Sequence, residues 1–206
     1  MELEQVLPKE IERRSFEIIA RELGDRTFPP DQAPVITRVI HATADFDYAD
    51  NLVFSDSAVP LALRALREGT PIVTDTNMGK AGINKTALKK VKSEVYCFMA
   101  DEDVARIAGE QGITRARASM DKAASLGKDC IFAIGNAPTA LIRLYELIRA
   151  GQIHPRLIIA APVGFVNVVQ AKERILSLDV PYIVAKGRKG GSTVAAAICN
   201  ALLYEA

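Results

Sequence analysis

Residues 130–151, CIFAIGNAPTALIRLYELIRAG, carry the reading that decides the fold. CIFAIG (130–135) is an unbroken apolar run closed by a glycine, the pattern of a short strand buried on both faces. NAPTALIRLYELIRAG reads as the helix that follows, with Gly151 at its end. A strand feeding a helix that returns to another apolar strand is a crossover, and crossovers of this kind pair strands in parallel.

The unit recurs on both sides. PIVTD (71–75), EVYCFM (94–99), RLIIAAPVG (156–164) and PYIVAKG (181–187) read as four further strands. Between them lie a helix capped by Asp56 or Ser57 and stopped at Gly69, a short basic helix from Lys85, and helices at Asp101–Glu110 and Thr114–Leu126. Asn167–Leu178 and Ser192–Leu203 complete the set, and TNMGKAGIN reads as a glycine-containing loop. Ahead of them stand an amphipathic helix at Lys9–Leu23 and a second at Asp31–Asp45, with Asp31 as its cap and Pro34 in its first turn. Phe46–Phe54, a mixed acidic and aromatic connector, takes no assignment. The expectation is one α/β domain over residues 1–206. Its core is an open, doubly wound, mainly parallel five-stranded sheet with helices on both faces and extra N-terminal helices.

Composition narrows the function. Of the 206 residues 49% are hydrophobic and 25% charged, which suits a globular enzyme with a full core and argues against disorder. A net charge of +1 gives no global field for nucleic acid, and no nucleic-acid motif is present, so anion recognition must be local. Cys97, Cys130 and Cys199 stand far apart in apolar surroundings and read as buried, reduced thiols of a cytoplasmic protein. The charged N-terminus does not resemble a signal peptide, and the longest uncharged run, Leu157–Gln170, is too short to span a bilayer, so no membrane role is expected.

In open parallel sheets the ligand sits beyond the C-terminal strand ends. Four loops rich in Gly, Pro, Asn and Ser fall there: DTNMGKAG (75–82) with Lys80, GNAPT (135–139) with Gly135 and Asn136, PVGFVN (162–167) and KGRKGGS (186–192). Such composition lets backbone approach a ligand and offer N–H groups. KGRKGGS is the strongest, because Lys186, Arg188 and Lys189 surround glycines while Gly190, Gly191 and Ser192 open the final helix, an arrangement suited to phosphate or carboxylate. The alternative is a basic turn with no ligand. The Walker order is absent. Arg115 and Arg117 sit near a helix N-terminus, where cations oppose the dipole; a carboxylate ligand or an acidic partner surface would explain them.

One proton donor stands out. On Asp31–Asp45 the residues Val35, Ile36, Val39 and Ile40 share an apolar face, while Arg38, His41 and Asp45 share another. Histidine is the side chain whose proton moves most readily near neutral pH; Asp45 would favour its charged form and Arg38 its neutral one. The alternative is a surface histidine between solvated charges. His154 precedes a strand, at the opposite end of the sheet, and reads as structural. Ser15, mid-helix beside Arg13 and Arg14, carries no signal by itself. There is no GxGxxG, HxxxH, CxxC or GxSxG pattern, so the expected chemistry is proton transfer or isomerisation without metal or redox cofactor.

RSFEII, RVIHATAD, PIVTDTNM, TRARASM, AIGNAPTAL, PVGFVN and KGRKGGS together closely resemble the precorrin-8X methylmutase family of cobalamin biosynthesis, from about Arg14 to Leu203. The resemblance implies an isomerase that moves a methyl group from C-11 to C-12 of a corrin precursor, giving hydrogenobyrinic acid or its cobalt form. It implies assistance by ring protonation and no dissociable cofactor. It implies His41 as the active-site histidine, with substrate contacts at Ser15, Arg38 and Arg115. It further implies a parallel α/β fold and a homodimer with substrate near the interface, and transient contact with neighbouring enzymes of the pathway is expected. A polycarboxylate macrocycle also accounts for several separate anion sites. The rivals are a phosphosugar isomerase using Asp75 as a carboxylate base, and a non-catalytic carrier of corrin intermediates. No residue distinguishes a metal-free from a cobalt-containing substrate.

Overall fold

The computed structural model describes residues 4–206. After a 3-10 turn at Pro8–Glu10, α1 (Ile11–Leu23) and α2 (Ala33–Thr43) lead through α3 (Tyr48–Asn51) into β1 (Leu52–Phe54). Then follow α4 (Ala58–Arg67), β2 (Ile72–Thr74), α5 (Asn77–Gly82), α6 (Lys85–Lys90) and β3 (Val95–Tyr96). The second half runs α7 (Glu102–Gln111), α8 (Arg115–Ala124), β4 (Ile131–Ile134), α9 (Pro138–Arg149), β5 (Leu157–Ala160), α10 (Val168–Leu176), β6 (Tyr182–Ala185) and α11 (Ser192–Glu205).

The strands form one six-stranded sheet in the order β1-β6-β5-β4-β2-β3. The five expected strands are all present and all parallel, with Ile72 opposite Ile131 and Ile131 opposite Leu157. The sixth corrects the count. β1 lies in the unassigned connector and pairs antiparallel with β6, Leu52 opposite Ala185 and Phe54 opposite Ile183. Three residues hold too little periodicity to announce a strand; the open edge of β6 selects them.

Alternation along each strand feeds two cores. Ile131, Ala133, Leu157, Ile159 and Ile183 face a layer built from α2, α4 and α11, where Val39, Ala62 and Ile198 are fully buried. Phe132, Ile134, Ile158 and Val184 face the opposite layer, α7 to α10, packing on Met120, Leu144 and Ile175. This sandwich is why the strands read as continuous apolar runs. Cys199 is buried, and burial pushes its thiol up to about 12, consistent with an inert core residue.

Three local expectations are revised. Asp31 does not cap α2: the cap position is Gln32, which makes no side-chain bond. TNMGKAGIN is not all loop, because Thr76 accepts the Gly79 amide at 2.9 Å and starts α5 despite its two glycines. Helix α2 ends at Thr43, and Ala44 turns left-handed (φ 52°), so Asp45 leaves the stripe that carries Arg38 and His41.

Candidate active site

Between β2 and β4 the direction of strand addition reverses, the place where open α/β sheets hold ligands. Asp75 stands at that point, directly after β2 and 1% exposed. It accepts the amides of Gly135 (2.9 Å), Asn136 (2.8 Å) and Ala137 (2.6 Å) from the loop after β4. Burial pushes its carboxyl up, and the three amides pull it back. Two expectations change here. Gly135 and Asn136 border the crevice, but their N–H groups are turned in to Asp75 rather than offered to a ligand. Asp75 in turn has its oxygens committed to backbone, which does not suit the carboxylate base of a phosphosugar isomerase.

The loop after β6 is anchored in the opposite sense. Lys172 of α10 is 1% exposed, and its Nζ donates to the carbonyls of Gly187 (2.9 Å) and Lys189 (2.8 Å). Burial alone pushes this lysine down to about 8. The two loops meet, since a Cβ on Gly135 would lie 2.6 Å from the Ser192 Cα, and the loop after β6 also presses on the segment after β5, where a Cβ on Gly190 would lie only 2.2 Å from the Ala161 oxygen. Both glycines are required for that approach. Ser192 Oγ lies 2.7 Å from Thr76 Oγ1, so the start of α11 is bonded to the cap of α5, the helix that carries Lys80.

Helix α2 reaches the same end of the sheet. Lys189 binds Asp45 (2.7 Å) and Asp47 (2.6 Å), which hold its ammonium above the usual lysine range, while its hydrogen bond to Asp45 holds that carboxyl low. Asp45 therefore serves the anion loop, not His41, and Lys189 is already paired. Lys186 and Arg188 remain exposed on the loop, with Arg188 over the Phe165 ring at 5.6 Å.

His41 is exposed on α2 and packs edge-on against Phe16 of α1, ring centroids 5.1 Å apart. Ser15, His41, Ile40 and Phe46 line one cavity of about 220 Å³ between the two helices. Ser15 donates to the Ile11 carbonyl, and its hydroxyl oxygen still has lone pairs to offer. Arg38 lies between Phe16 and Tyr204, 4.9 and 4.8 Å from their centroids, and pairs with Glu12. It also lines a second cavity of about 220 Å³ that runs to Met78, Ser192 and Asn200. Arg38 thus borders the start of α11 and meets the histidine's surroundings only through Phe16, whose ring both side chains contact.

Arg115 and Arg117 separate. Thr114 caps α8 and donates to Thr139, which seats the α8 N-terminus, and exposed Arg115, beside the GNAPT loop. Arg117 forms two bonds to Glu146 (3.1 and 2.7 Å), inside a network with Arg143 and Asp121 that ties α8 to α9. Its charge is neutralised within the fold. His154 lies before β5, away from these loops, as its position in the sequence implies. Phe16, Tyr204 and Lys172 were not singled out from sequence. Phe16 and Lys172 sit in amphipathic patterns, one as a further apolar residue and the other as a further charge, while Tyr204 stands at the end of the largely apolar α11.

The chain is similar to known proteins of one family along nearly its whole length. The family described as "CbiC: Precorrin-8X methylmutase" matches residues 10–205. A cobalt-precorrin-8 methylmutase of Priestia megaterium is 43% identical over 197 residues, covering 96% of this chain and 88% of the relative. A precorrin-8X methylmutase of Pseudomonas aeruginosa is 38% identical over 197 residues, covering 95% and 94%. A solved precorrin-8X methylmutase structure from Thermus thermophilus superposes with a TM-score of 0.88 at 40% identity, covering 95% of this chain and 96% of that one.

Proposed function

The chain belongs to the precorrin-8X methylmutase family, and from that premise we propose how its own residues perform the isomerisation. The reaction moves a methyl group from C-11 to C-12 of a corrin precursor, with no net change in atoms. In our reading His41 is the general acid that protonates the ring, a role typically worth about 10²–10⁴-fold in rate. Ser15 and Phe16 set the imidazole's orientation from α1. Arg38 meets a peripheral carboxylate, exchanging or sharing it with Glu12, and so fixes the distance from imidazole to macrocycle. The side chains of Lys186 and Arg188 with the amides of Arg188 and Gly190 take a second carboxylate, the Lys186 and Gly191 amides being bonded instead to the carbonyls of Asn51 and Ala161 (both 2.8 Å), and Arg115 and Lys80 lie at the rim for others. Gly135 and Asn136 contribute shape rather than N–H groups, and Arg117 contributes by holding α8.

The observation that carries this reading is the tie between Lys189 and Asp45, which joins the anion loop to the end of the helix that bears His41. A second copy of the chain completes the pocket in this reading; exposed Phe165 (82%), Val166 (78%) and Met78 (70%) support an apolar surface for it to cover. Among the described residues no helix is long and apolar enough to cross a membrane. That accords with work in the cytoplasm, beside enzymes that supply and accept the intermediate.

The test is incubation of wild type and His41→Ala with precorrin-8X, and in parallel with cobalt-precorrin-8, read by absorbance. Wild type converts one of the two rings, which also identifies the substrate form; the variant binds it and turns over at least about 10²-fold more slowly. Full activity in the variant removes His41 from the mechanism. Binding without conversion of either ring by wild type makes the protein a carrier.

A further inference from the structure

We propose that Lys172 is a positioning residue for substrate, acting through the backbone of the loop after β6. The inference rests on the reading of that loop as a carboxylate site. Lys172 touches no cavity assigned to substrate; it reaches the loop from beneath, donating to the carbonyls of Gly187 and Lys189. In a planar trans peptide the C=O and the following N–H point in opposite directions. Drawing those two carbonyls inward therefore turns the amides of Arg188 and Gly190 outward. Neither amide has an acceptor among the described residues. The carbonyl between them, that of Arg188, is held separately by the Gly164 amide at 3.1 Å, which keeps the alternation in register. Gly187 (φ 75°) and Gly190 (φ 157°) supply backbone conformations that side chains resist.

The direction of the outward amides follows from the layers. Lys172 approaches from the α7–α10 layer, whereas Lys189 is tied to Asp45 at the end of α2. The amides of Arg188 and Gly190 thus face away from α10, toward the side where α2 ends and His41 lies one turn earlier. The two N–H groups, both on the face of the loop opposite the ammonium, and the Arg188 guanidinium beside them supply donors for one peripheral carboxylate. A lysine is suited to the task because one ammonium can hold two carbonyls at once.

Lys172→Met keeps the length of the stem and removes the donors. Three quantities separate positioning from mere packing: the Kd for hydrogenobyrinic acid, the split of KM against kcat with the converted ring, and the thermal midpoint. The expected result is a rise in Kd and KM on the order of tenfold, with kcat within about twofold of wild type and the midpoint not lowered. Lys172→Gln, which still carries an NH2 donor, recovers part of the affinity. Unchanged Kd in Lys172→Met overturns the proposal, as does a joint fall of affinity, kcat and midpoint, which is the mark of a structural role. Hydrogen exchange on wild type serves where both variants misfold: hydrogenobyrinic acid protects the peptide spanning 186–192, and unchanged exchange there overturns the proposal. Failure of wild type to bind either hydrogenobyrinic acid or its cobalt form rejects the functional reading itself, whereas equal binding by wild type and Lys172→Met of whichever form binds rejects only the role of Lys172.

Discussion

The loops after β4 and β6 lie side by side at one end of the sheet, each fixed by a single buried charge, and the two charges have opposite sign. Asp75 gathers the amides of residues 135–137; Lys172 gathers the carbonyls of residues 187 and 189. The sign of the anchor decides which backbone atoms are left for a ligand. A carboxylate anchor consumes N–H groups and leaves a loop of shape, while an ammonium anchor consumes C=O groups and leaves a loop of donors. In both cases burial displaces the group toward its neutral form, Asp75 upward and Lys172 downward, so neither is explained as a source of net stability. What each supplies is loop geometry.

The largest effect that tests this contrast is on Asp75. Gly135 is buried and Ala137 half-buried, so amides released by Asp75→Ala reach water poorly. Leaving buried donors unpaired is expected to destabilise the fold by roughly 3–5 kcal/mol, read as a lower urea midpoint. Gly187 and Lys189 are exposed, and carbonyls released by Lys172→Met can turn to solvent at little cost. Equal midpoints for Asp75→Ala and wild type would dissolve the distinction between the two anchors.

Most of the fold was legible because its strands are buried on both faces and so are written as apolar runs; β1 was not, since Leu52–Phe54 is made a strand by its neighbour β6. The face shared by His41 and Arg38, both of which pack on Phe16, was legible from helical spacing, but Asp45 was misplaced by carrying that spacing two residues past the helix end at Thr43. Lys172 sits in VVQAKERIL, where helical lysines are ordinarily solvated, and only the packing of α10 against the sheet places its ammonium inside. Asp75 carried a real signal, a carboxylate directly after an apolar strand. That signal is shared by catalytic bases and by backbone anchors, and the amides around it decide between them.

A second, smaller effect uses pH. Lys172 titrates at about 8 in the fold against 10.5 as the ordinary value. Between those values the unfolded chain holds a proton that the folded chain has shed, so stability contributed by this group rises with pH across the window and is flat below it. The full shift corresponds to at most roughly 3–4 kcal/mol. Subtracting the urea stability of Lys172→Met from that of wild type at pH 7 and pH 10 isolates the contribution. The difference is expected to move in favour of wild type as pH rises, and a pH-independent difference would mean that the lysine is solvated.

The smallest effect lies where the two loops touch. Gly135→Ala places a methyl group 2.6 Å from the Ser192 Cα and 2.8 Å from its nitrogen, contacts that backbone must yield to relieve. Overpacking of this kind is expected to cost about 1–3 kcal/mol. Because it pushes the Asp75-anchored loop off the start of α11, its consequences should not stay local. The Ser192–Thr76 bond stretches, and the outward amides shift with the glycines that precede Ser192. Affinity for hydrogenobyrinic acid should therefore fall although no donor has been removed. Combined with Asp75→Ala, the stability loss should be less than the sum of the two, since the released loop no longer presses on α11. Strict additivity in that double-mutant cycle would show that the two loops are anchored independently and that their contact transmits nothing.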